Sequence, residues 1–546
     1  MDRAIYNQRI FDIISDDSKF VKLDVDPTIT RQTKLQNFLL KLKKKGLFSD
    51  EVYQKVYPSG SQPARIYGLP KIHKVKDDKE VPPFRPIISS IGTFNYGLSS
   101  WLCSLLTSLI PSEYTTKDTF SFVKEIRKQD VGNKVMVSFD VVSLFTNIPL
   151  HETIALGVDL IKEEWPRLRV TRDELTNLFL MATAETHFIF NGSMYDQVDG
   201  VAMGSPLGPV LANLFMGYHE SRWLNDFGGI GPSFYRRYVD DIFCLFDNIS
   251  DANMFLNYIN MKHPNIKFTM ETEVSKCLSF LDVSINNNFG FSTSVYRKST
   301  FTGLLTNFFS YTADSYKIGL IKNLLFRAFH ICDSWVIFHN EVERIYQILL
   351  KNSFPRVLID RVTCSFIEKQ VRMKEDDASV KEIEQEVRYF KLPYRGRFSD
   401  LTQSKLNNIA KRFCEPIKAK LVFTPFKISQ YFSPKDRIPD KYRSNVVYKY
   451  ICPSCEALYI GETSIHFNTR VSQHLFKRSA PSAVNKHLHA KGNERCRELS
   501  DRHSFSVIDR ASTKFSLKLK EAMHIRWNNE PPLNKQVRSV KLQLTV

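Results

Sequence analysis

Two apolar runs about a hundred residues apart carry acid where a buried strand would carry none: Asp140 in SFDVVSLF, and Asp240 with Asp241 in YVDDIF. Charged side chains are depleted in such strands unless they are paired or hold a metal. Carboxylates contributed by one strand and a neighbouring hairpin suit Mg2+ or Mn2+, hard cations that take oxygen ligands. Two such ions, roughly 3.5–4 Å apart, serve phosphoryl transfer: one activates an attacking 3′ hydroxyl and the other carries the leaving pyrophosphate. A plain Asp-Asp turn is the competing reading. It is disfavoured because both residues sit within the run Tyr238-Val239…Ile242-Phe243.

A second constellation lies near the C-terminus. Cys452 and Cys455 form CPSC, the only cysteine pair with metal-ligand spacing among nine cysteines. Such a knuckle suits a structural Zn2+, which needs two further thiolate or imidazole ligands; a redox pair or two buried thiols are the alternatives. Isolated cysteines such as Cys103, Cys244 and Cys332 stand in apolar stretches and read as buried reduced thiols. Arg470 and His474 share one face of an expected helix at i, i+4 spacing. Glu521 opens EAMHIRW on another, and Asn534 follows a proline pair.

Several elements must position these groups. KVMVSFDVVSLFTNI, from residue 134, reads as a buried strand followed by a helix, and FYRRYVDDIFCLF (234–246) as a second strand pattern broken by its aspartates. Between them GVAMGSPLGPVLANLFMGYH reads as a loop feeding a helix. The first sixty residues read as polar-rich helices, KLQNFLLKLKKKGLF showing helical apolar spacing with a basic face. GLPKIHK (68–74) and VPPFRPIIS (81–89) read as extended segments, and 315–350 as helical. Residues 391–443 hold 13 Lys/Arg against 4 Asp/Glu and read as a basic connector.

At 546 residues the chain exceeds what one core usually serves, so two to four domains are expected. A net charge of +18 favours a polyanionic partner, nucleic acid ahead of anionic membrane. No apolar run approaches the roughly 20 residues of a membrane span, and the start lacks a signal-peptide pattern; a soluble, intracellular protein is expected.

YVDD, the D-x-x-x-x-F from Asp140 to Phe145, the GSPLGP loop and the upstream PK and RPI segments resemble reverse transcriptases in their usual order, over roughly residues 65–300. GLPKIHK, FDVVSLFTNIPL, GVAMGSPLGPVLANLFM and FLDVSI resemble Penelope-like retroelements in particular. That resemblance implies metal ligation by Asp140 and Asp241 with Asp240 as neighbour, and a backbone metal contact at Val141. Phe145 matches the aromatic that blocks a ribose 2′-hydroxyl, with plain core packing as the other reading. Lys71 and Arg85 match the residues that grip triphosphate. Gly204, Ser205 and Pro206 match the loop beneath nucleotide and template, with Met203 where many reverse transcriptases carry glutamine. The thumb entry departs from the family, with SYTAD in place of its serine-histidine-proline run.

VYKYICPSCEALYIGETSIHFNTRVSQH resembles the GIY-YIG endonuclease attached to Penelope-like elements. Tyr448-Lys449-Tyr450 stands where Gly-Ile-Tyr would, while Tyr459-Ile460-Gly461 is intact. The resemblance implies metal-assisted phosphodiester hydrolysis by Tyr450, Tyr459, Arg470, His474 and Glu521, with Glu521 holding Mg2+ and Asn534 in support. His487 and His503 match the downstream zinc ligands best, with His489 and Cys496 as rivals.

The expected architecture is therefore α+β: a right-hand polymerase of fingers, palm and thumb, a helical connector, and a small α/β nuclease. Its boundaries are an N-terminal helical region over 1–64, fingers and palm over 65–300, a helical thumb-like domain over 301–364, a charged linker over 365–445 and the nuclease over 446–546. Expected partners are an RNA template, a DNA primer or target and deoxynucleoside triphosphates, with no membrane. The expected location is the nucleus, after synthesis in the cytoplasm. Two rival readings stand at this point: a C-terminal unit that only binds DNA, and a decayed nucleic-acid-binding remnant.

Overall fold

The computed structural model describes residues 2–72, 81–110, 113–129, 132, 134–165, 169–288, 290–375, 386–413, 417–424, 427, 431, 435–439, 442–476, 482–511, 513–528 and 533–534. At its centre is an antiparallel sheet with the strand order Phe234–Tyr238, Asp241–Phe246, Val135–Val141, Phe268–Thr272. Successive side chains of a strand point to opposite faces, and both faces of this sheet are covered. Val137, Phe139, Val141, Ile242 and Cys244 join a core with the helices Leu150–Glu164, Gly208–Asn225 and Ile249–Lys262. Met136, Phe243 and Leu245 pack the other way, against Phe122, Phe280 and Ile285. Double burial explains why these strands read as unbroken apolar runs.

A five-stranded sheet lies beside it, in the order Phe20–Leu23, Ser193–Gln197, His187–Phe190, Ala64–Pro70, Phe84–Ser89. Its first strand corrects the all-helical expectation for residues 1–64: Phe20–Leu23 pairs with residues 194–197. Nor is that region separate. The helix Thr28–Lys44 buries Leu35, Leu39 and Leu42, the periodicity seen in the sequence, in the same core as the central sheet.

Three helices, Asp314–Ile331, Trp335–Lys351 and Arg356–Glu375, enclose their own core around Ile321, Leu325, Ile345 and Leu349. The connector is not the helical linker expected. Glu386–Pro393 and Ile417–Thr424 pair in parallel, with the helix Arg397–Phe413 between them. The Tyr316 hydroxyl fastens this unit to the first of the three helices, accepting from the Phe423 amide at 2.7 Å and donating to the Phe423 carbonyl at 3.1 Å. Basic residues interrupt the alternation of its strands, which hid them in the sequence.

The C-terminal unit is an antiparallel sheet in the order Leu458–Thr463, Val446–Ile451, Phe505–Arg510. Its loops dock on the N-terminal half of the chain. Tyr442 donates to Asp26 Oδ2 at 2.5 Å, Ser444 to the Gly60 carbonyl at 2.7 Å, and His466 to the Ser61 carbonyl at 2.7 Å. Gly60 has φ +61, and a Cβ there would lie 2.5 Å from both Ser444 Cβ and the Ser464 carbonyl, so only glycine fits this contact. Among the described residues no helix is long and apolar enough to cross a membrane.

Candidate active sites

Antiparallel register sets Asp140 directly opposite Asp241 on neighbouring strands. Cross-strand partners have Cβ atoms about 4.5–5.5 Å apart, so the two carboxylates share one face at one level. Asp240 lies in a two-residue turn between Tyr238 and Asp241, which corrects the placement of both aspartates inside one strand run. The Val141 amide donates to the Asp240 carbonyl at 3.0 Å, locking the turn to the central strand. Val239 takes φ +59, which a β-branched residue rarely adopts. Arg237 supports the turn from behind, donating to the Val239 carbonyl at 3.1 Å, to Asn213 Oδ1 at 2.8 Å and to Glu220 Oε1 at 2.6 Å. Arg237 and Glu220 are both fully buried, and neither stood out in the sequence as functional.

Burial, then Asp240 and Asp140, push the Asp241 carboxyl up to about 6, against the opposing pull of Lys298 and Arg85. Crowded acids that resist ionising together are what a divalent cation relieves, so the residues fit a Mg2+ or Mn2+ site. Lys298, within YRKST, is a cation of this site that sequence reasoning passed over. Arg85 projects from the strand Phe84–Ser89, and the Lys71 amide donates to the Pro83 carbonyl at 2.8 Å across the hairpin base.

Phe145 sits in the one-turn helix Leu144–Asn147, half-buried against the central core, and its carbonyl accepts from the Val201 amide at 2.7 Å. The loop with Gly204, Ser205 and Pro206 is stitched to the other sheet: the Ile88 amide donates to the Met203 carbonyl at 2.8 Å, and Ser90 to the Gly204 carbonyl at 2.7 Å. Gly204 has φ +121, and a Cβ there would collide with the Ile88 carbonyl. Asp140, Asp240, Arg85 and Lys298 thus all act on the Asp241 carboxyl, while Phe145 packs against the start of the helix that follows the glycine loop, at Gly208.

In the C-terminal unit Arg470 Nε donates to the Tyr448 hydroxyl at 3.2 Å, which leaves the phenolic proton for His474 Nε2 at 2.6 Å. Tyr459 lies beside them, its ring centroid 6.2 Å from that of Tyr448. Burial, with Arg470 nearby, pulls His474 down to about 3, so its imidazole is neutral and able to accept. Glu521 Oε1 accepts from the Glu462 amide at 3.0 Å; burial and the Glu462 carboxylate push Glu521 up to about 7. Glu462 was not foreseen. Tyr450 needs correction: its hydroxyl is 2.9 Å from Ser500 Oγ, farther along the same face towards the thiol end of the strand. Two residues along a strand span nearly 7 Å, which is why Tyr448 reaches the cluster and Tyr450 does not. Asn534 bonds the backbone of Ile460 in both directions, at 2.6 and 3.1 Å, and so braces the strand that carries Tyr459.

Cys452, Cys455, His487 and Cys496 bring their ligand atoms within 4.8 Å of one another. Three sulfurs and one imidazole fit a closed tetrahedral Zn2+ site. His503 is not one of the four: Asp501 Oδ1 accepts from its amide at 2.8 Å in the exposed turn Arg502–Ser504, whereas the short helix Glu494–Leu499 buries Cys496. Burial acts to raise the Cys452 thiol, but His487 and the amides of Cys455 and Ser454 prevail and pull it down to about 6.

The family profile described as Reverse transcriptase (RNA-dependent DNA polymerase) matches residues 76–303, and that of the Animal helix-turn-helix domain matches residues 304–363. Among solved structures the chain is similar to a telomerase from Candida albicans in complex with a fragment of telomeric RNA. That likeness has 9% identity and TM-score 0.43, and covers 69% of this chain and 66% of that one. It is similar to the apo telomerase from Candida tropicalis at 10% identity and TM-score 0.36, covering 70% and 65%. The RNA-dependent RNA polymerase from bacteriophage phi12 shows 13% identity and TM-score 0.36, covering 63% and 61%. The chain thus spans less than two thirds of the length of each. No curated protein matches it by sequence. Residues 76–303 form a reverse transcriptase domain, and the cross-strand pair Asp140 and Asp241 lies within it.

Proposed function

We propose that this chain is the RNA-directed DNA polymerase of a Penelope-like retroelement, with a C-terminal GIY-YIG endonuclease that nicks the target DNA. The observation that carries the polymerase reading is the register of Asp140 against Asp241 within the reverse transcriptase domain. Bound Mg2+ or Mn2+ would supply the Lewis acid that lowers the pKa of a primer 3′ hydroxyl and neutralises a leaving pyrophosphate. Asp140 and Asp241 would hold it, with the Val141 carbonyl. Arg85 and Lys71 grip the triphosphate, Phe145 excludes a 2′-hydroxyl, and the Gly204 loop lets backbone approach the base pair. The three-helix unit guides the duplex product.

For the nuclease, support comes from Tyr448, Tyr459, Arg470, His474 and Glu521 meeting at one place. Val446-Val447-Tyr448 then stands where Gly-Ile-Tyr would, two residues earlier than the sequence suggested. The Tyr448 phenol, hydrogen-bonded to a neutral imidazole, is set to pass a proton from the attacking water, and Arg470 faces the charge that develops on phosphorus. Glu521 would hold a divalent metal, and Cys452, Cys455, His487 and Cys496 a structural Zn2+. Such an element works in the nucleus, on an RNA template and a DNA end.

The test separates the two sites. Asp241→Ala should abolish primer extension on an RNA template and leave nicking of supercoiled plasmid; Glu521→Ala should do the reverse, and on intact target both should fail at target-primed synthesis, which a pre-nicked DNA should rescue for Glu521→Ala alone. If Glu521→Ala nicks at the wild-type rate, the C-terminal unit is not the nuclease. Absence of extension by the wild-type chain with either Mg2+ or Mn2+ would make the protein a binding remnant.

A further inference from the structure

Where the C-terminal unit docks on the N-terminal half, the junction is open on one side. A cleft of about 570 Å³ is lined by Arg65 from the strand Ala64–Pro70, by Lys435, Arg437 and Arg443 from the segment entering the nuclease, and by Arg510 from its sheet. Against these five cations stands one carboxylate of the lining, Asp436. Arg65 and Lys435 lie close enough that burial and mutual repulsion both disfavour the charge on Lys435. A polyanion would relieve that strain.

A second cleft, of about 380 Å³, adjoins the first at Asn445 and is lined by Tyr53, Tyr57 and Lys514. Tyr57 is exposed, and its ring lies 5.3 Å from that of Tyr53. Cations that follow a backbone, next to aromatic faces on which bases stack, are the combination used to bind single-stranded nucleic acid without sequence readout. Duplex would leave the tyrosines without bases to stack on.

We propose that a single polynucleotide strand crosses the junction between the fingers and the C-terminal unit, its phosphates beside Arg65 and Arg437 and a base against Tyr57. The proposal rests on the polymerase reading only in taking nucleic acid as the substrate class. Either the RNA template ahead of the palm or a displaced DNA strand could supply it.

The experiment measures binding of labelled RNA and DNA 20-mers of one sequence, and of the blunt duplex, to the full chain across a salt series. Every phosphate that a cation neutralises on a single strand adds about 0.7 to the steepness of the log–log salt dependence. Arg65→Gln with Arg437→Gln removes two such cations and should therefore reduce the slope by about 1.4. Tyr57→Ala should weaken single-strand binding about tenfold. Arg65→Lys and Tyr57→Phe should retain binding, which shows that the missing charge or ring is responsible and not a damaged fold. Extension of a primer on a template with a short overhang should be unchanged in every variant, and that arm reports on the polymerase reading separately. Weakening with RNA alone assigns the track to the template, and weakening with DNA alone to the displaced strand. Unchanged slopes in the double variant, or equal weakening of blunt duplex, overturn the proposal.

Discussion

Gly60 offers a direct test of whether the C-terminal unit is held on the polymerase. In Gly60→Ala the new methyl would sit 2.5 Å from Ser444 Cβ and the Ser464 carbonyl, about an ångström inside normal carbon contact. The left-handed φ of +61 adds roughly 1–2 kcal/mol for any residue with a Cβ. Retreat of the loop breaks the Ser444–Gly60 hydrogen bond, worth about 1 kcal/mol. Together these weaken docking by about 2–3 kcal/mol, roughly thirty- to a hundred-and-fifty-fold in the equilibrium. Hydrogen exchange should show it as faster exchange in residues 59–62 and 442–466, while the strand Val135–Val141 stays protected. Unchanged exchange in both junction segments would refute the reasoning, and so would loss of protection throughout the central sheet.

Three further outcomes are expected. Arg237→Met leaves the buried Glu220 without its cation and should cost about 3–5 kcal/mol of stability; adding Glu220→Gln, which keeps an acceptor for the Tyr235 hydroxyl, should recover part of the melting temperature but not primer extension, because the Val239 turn stays unsupported. Cys496→Ser should release bound zinc and lower the melting temperature of the C-terminal unit, whereas His503→Ala should do neither, as metal analysis and calorimetry would show. His187, held near 4 by burial and by Arg31, is neutral in the fold, with Thr28 Oγ1 at 2.8 Å from Nε2. Its folded pKa lies below the ordinary 6.5, so the unfolded chain takes up the proton first. About 3 kcal/mol of stability is present above pH 6.5 and is lost as pH falls towards 4. Melting curves of His187→Gln should have a flatter acid limb; an identical limb would mean that His187 does not titrate as argued.

What the sequence revealed and what it hid follow the range of the interactions. Asp140 and Asp241 were legible because acid inside an unbroken apolar strand is a local anomaly. Leu35, Leu39 and Leu42 were legible because helical spacing is local too. The partnership of Arg237 with Glu220 was not, since two charges seventeen residues apart on different elements look like surface. Phe20–Leu23 pairs with a strand more than 170 residues away, and four residues carry too little pattern to announce it. Tyr448 and Tyr450 point to the same face, so alternation alone could not choose between them; only the positions of His474 and Arg470 do. Lys298 and Glu462 belong to their sites through the fold and carry no spacing signal. Cys496 stood among the possible ligands, and the short helix that buries it decided in its favour.

If the C-terminal unit is the nuclease proposed above, its docking on the N-terminal half has a kinetic meaning as well. A cut end produced by a unit fixed to the polymerase would not have to be found by diffusion. Tethered partners meet at effective concentrations on the order of millimolar when geometry permits both to engage. Free primers at micromolar concentration would compete poorly with an end made in place. The hydrogen bonds from Tyr442, Ser444 and His466 would then act on which DNA gets copied, by fixing how far a new 3′ end must travel to reach Asp140 and Asp241.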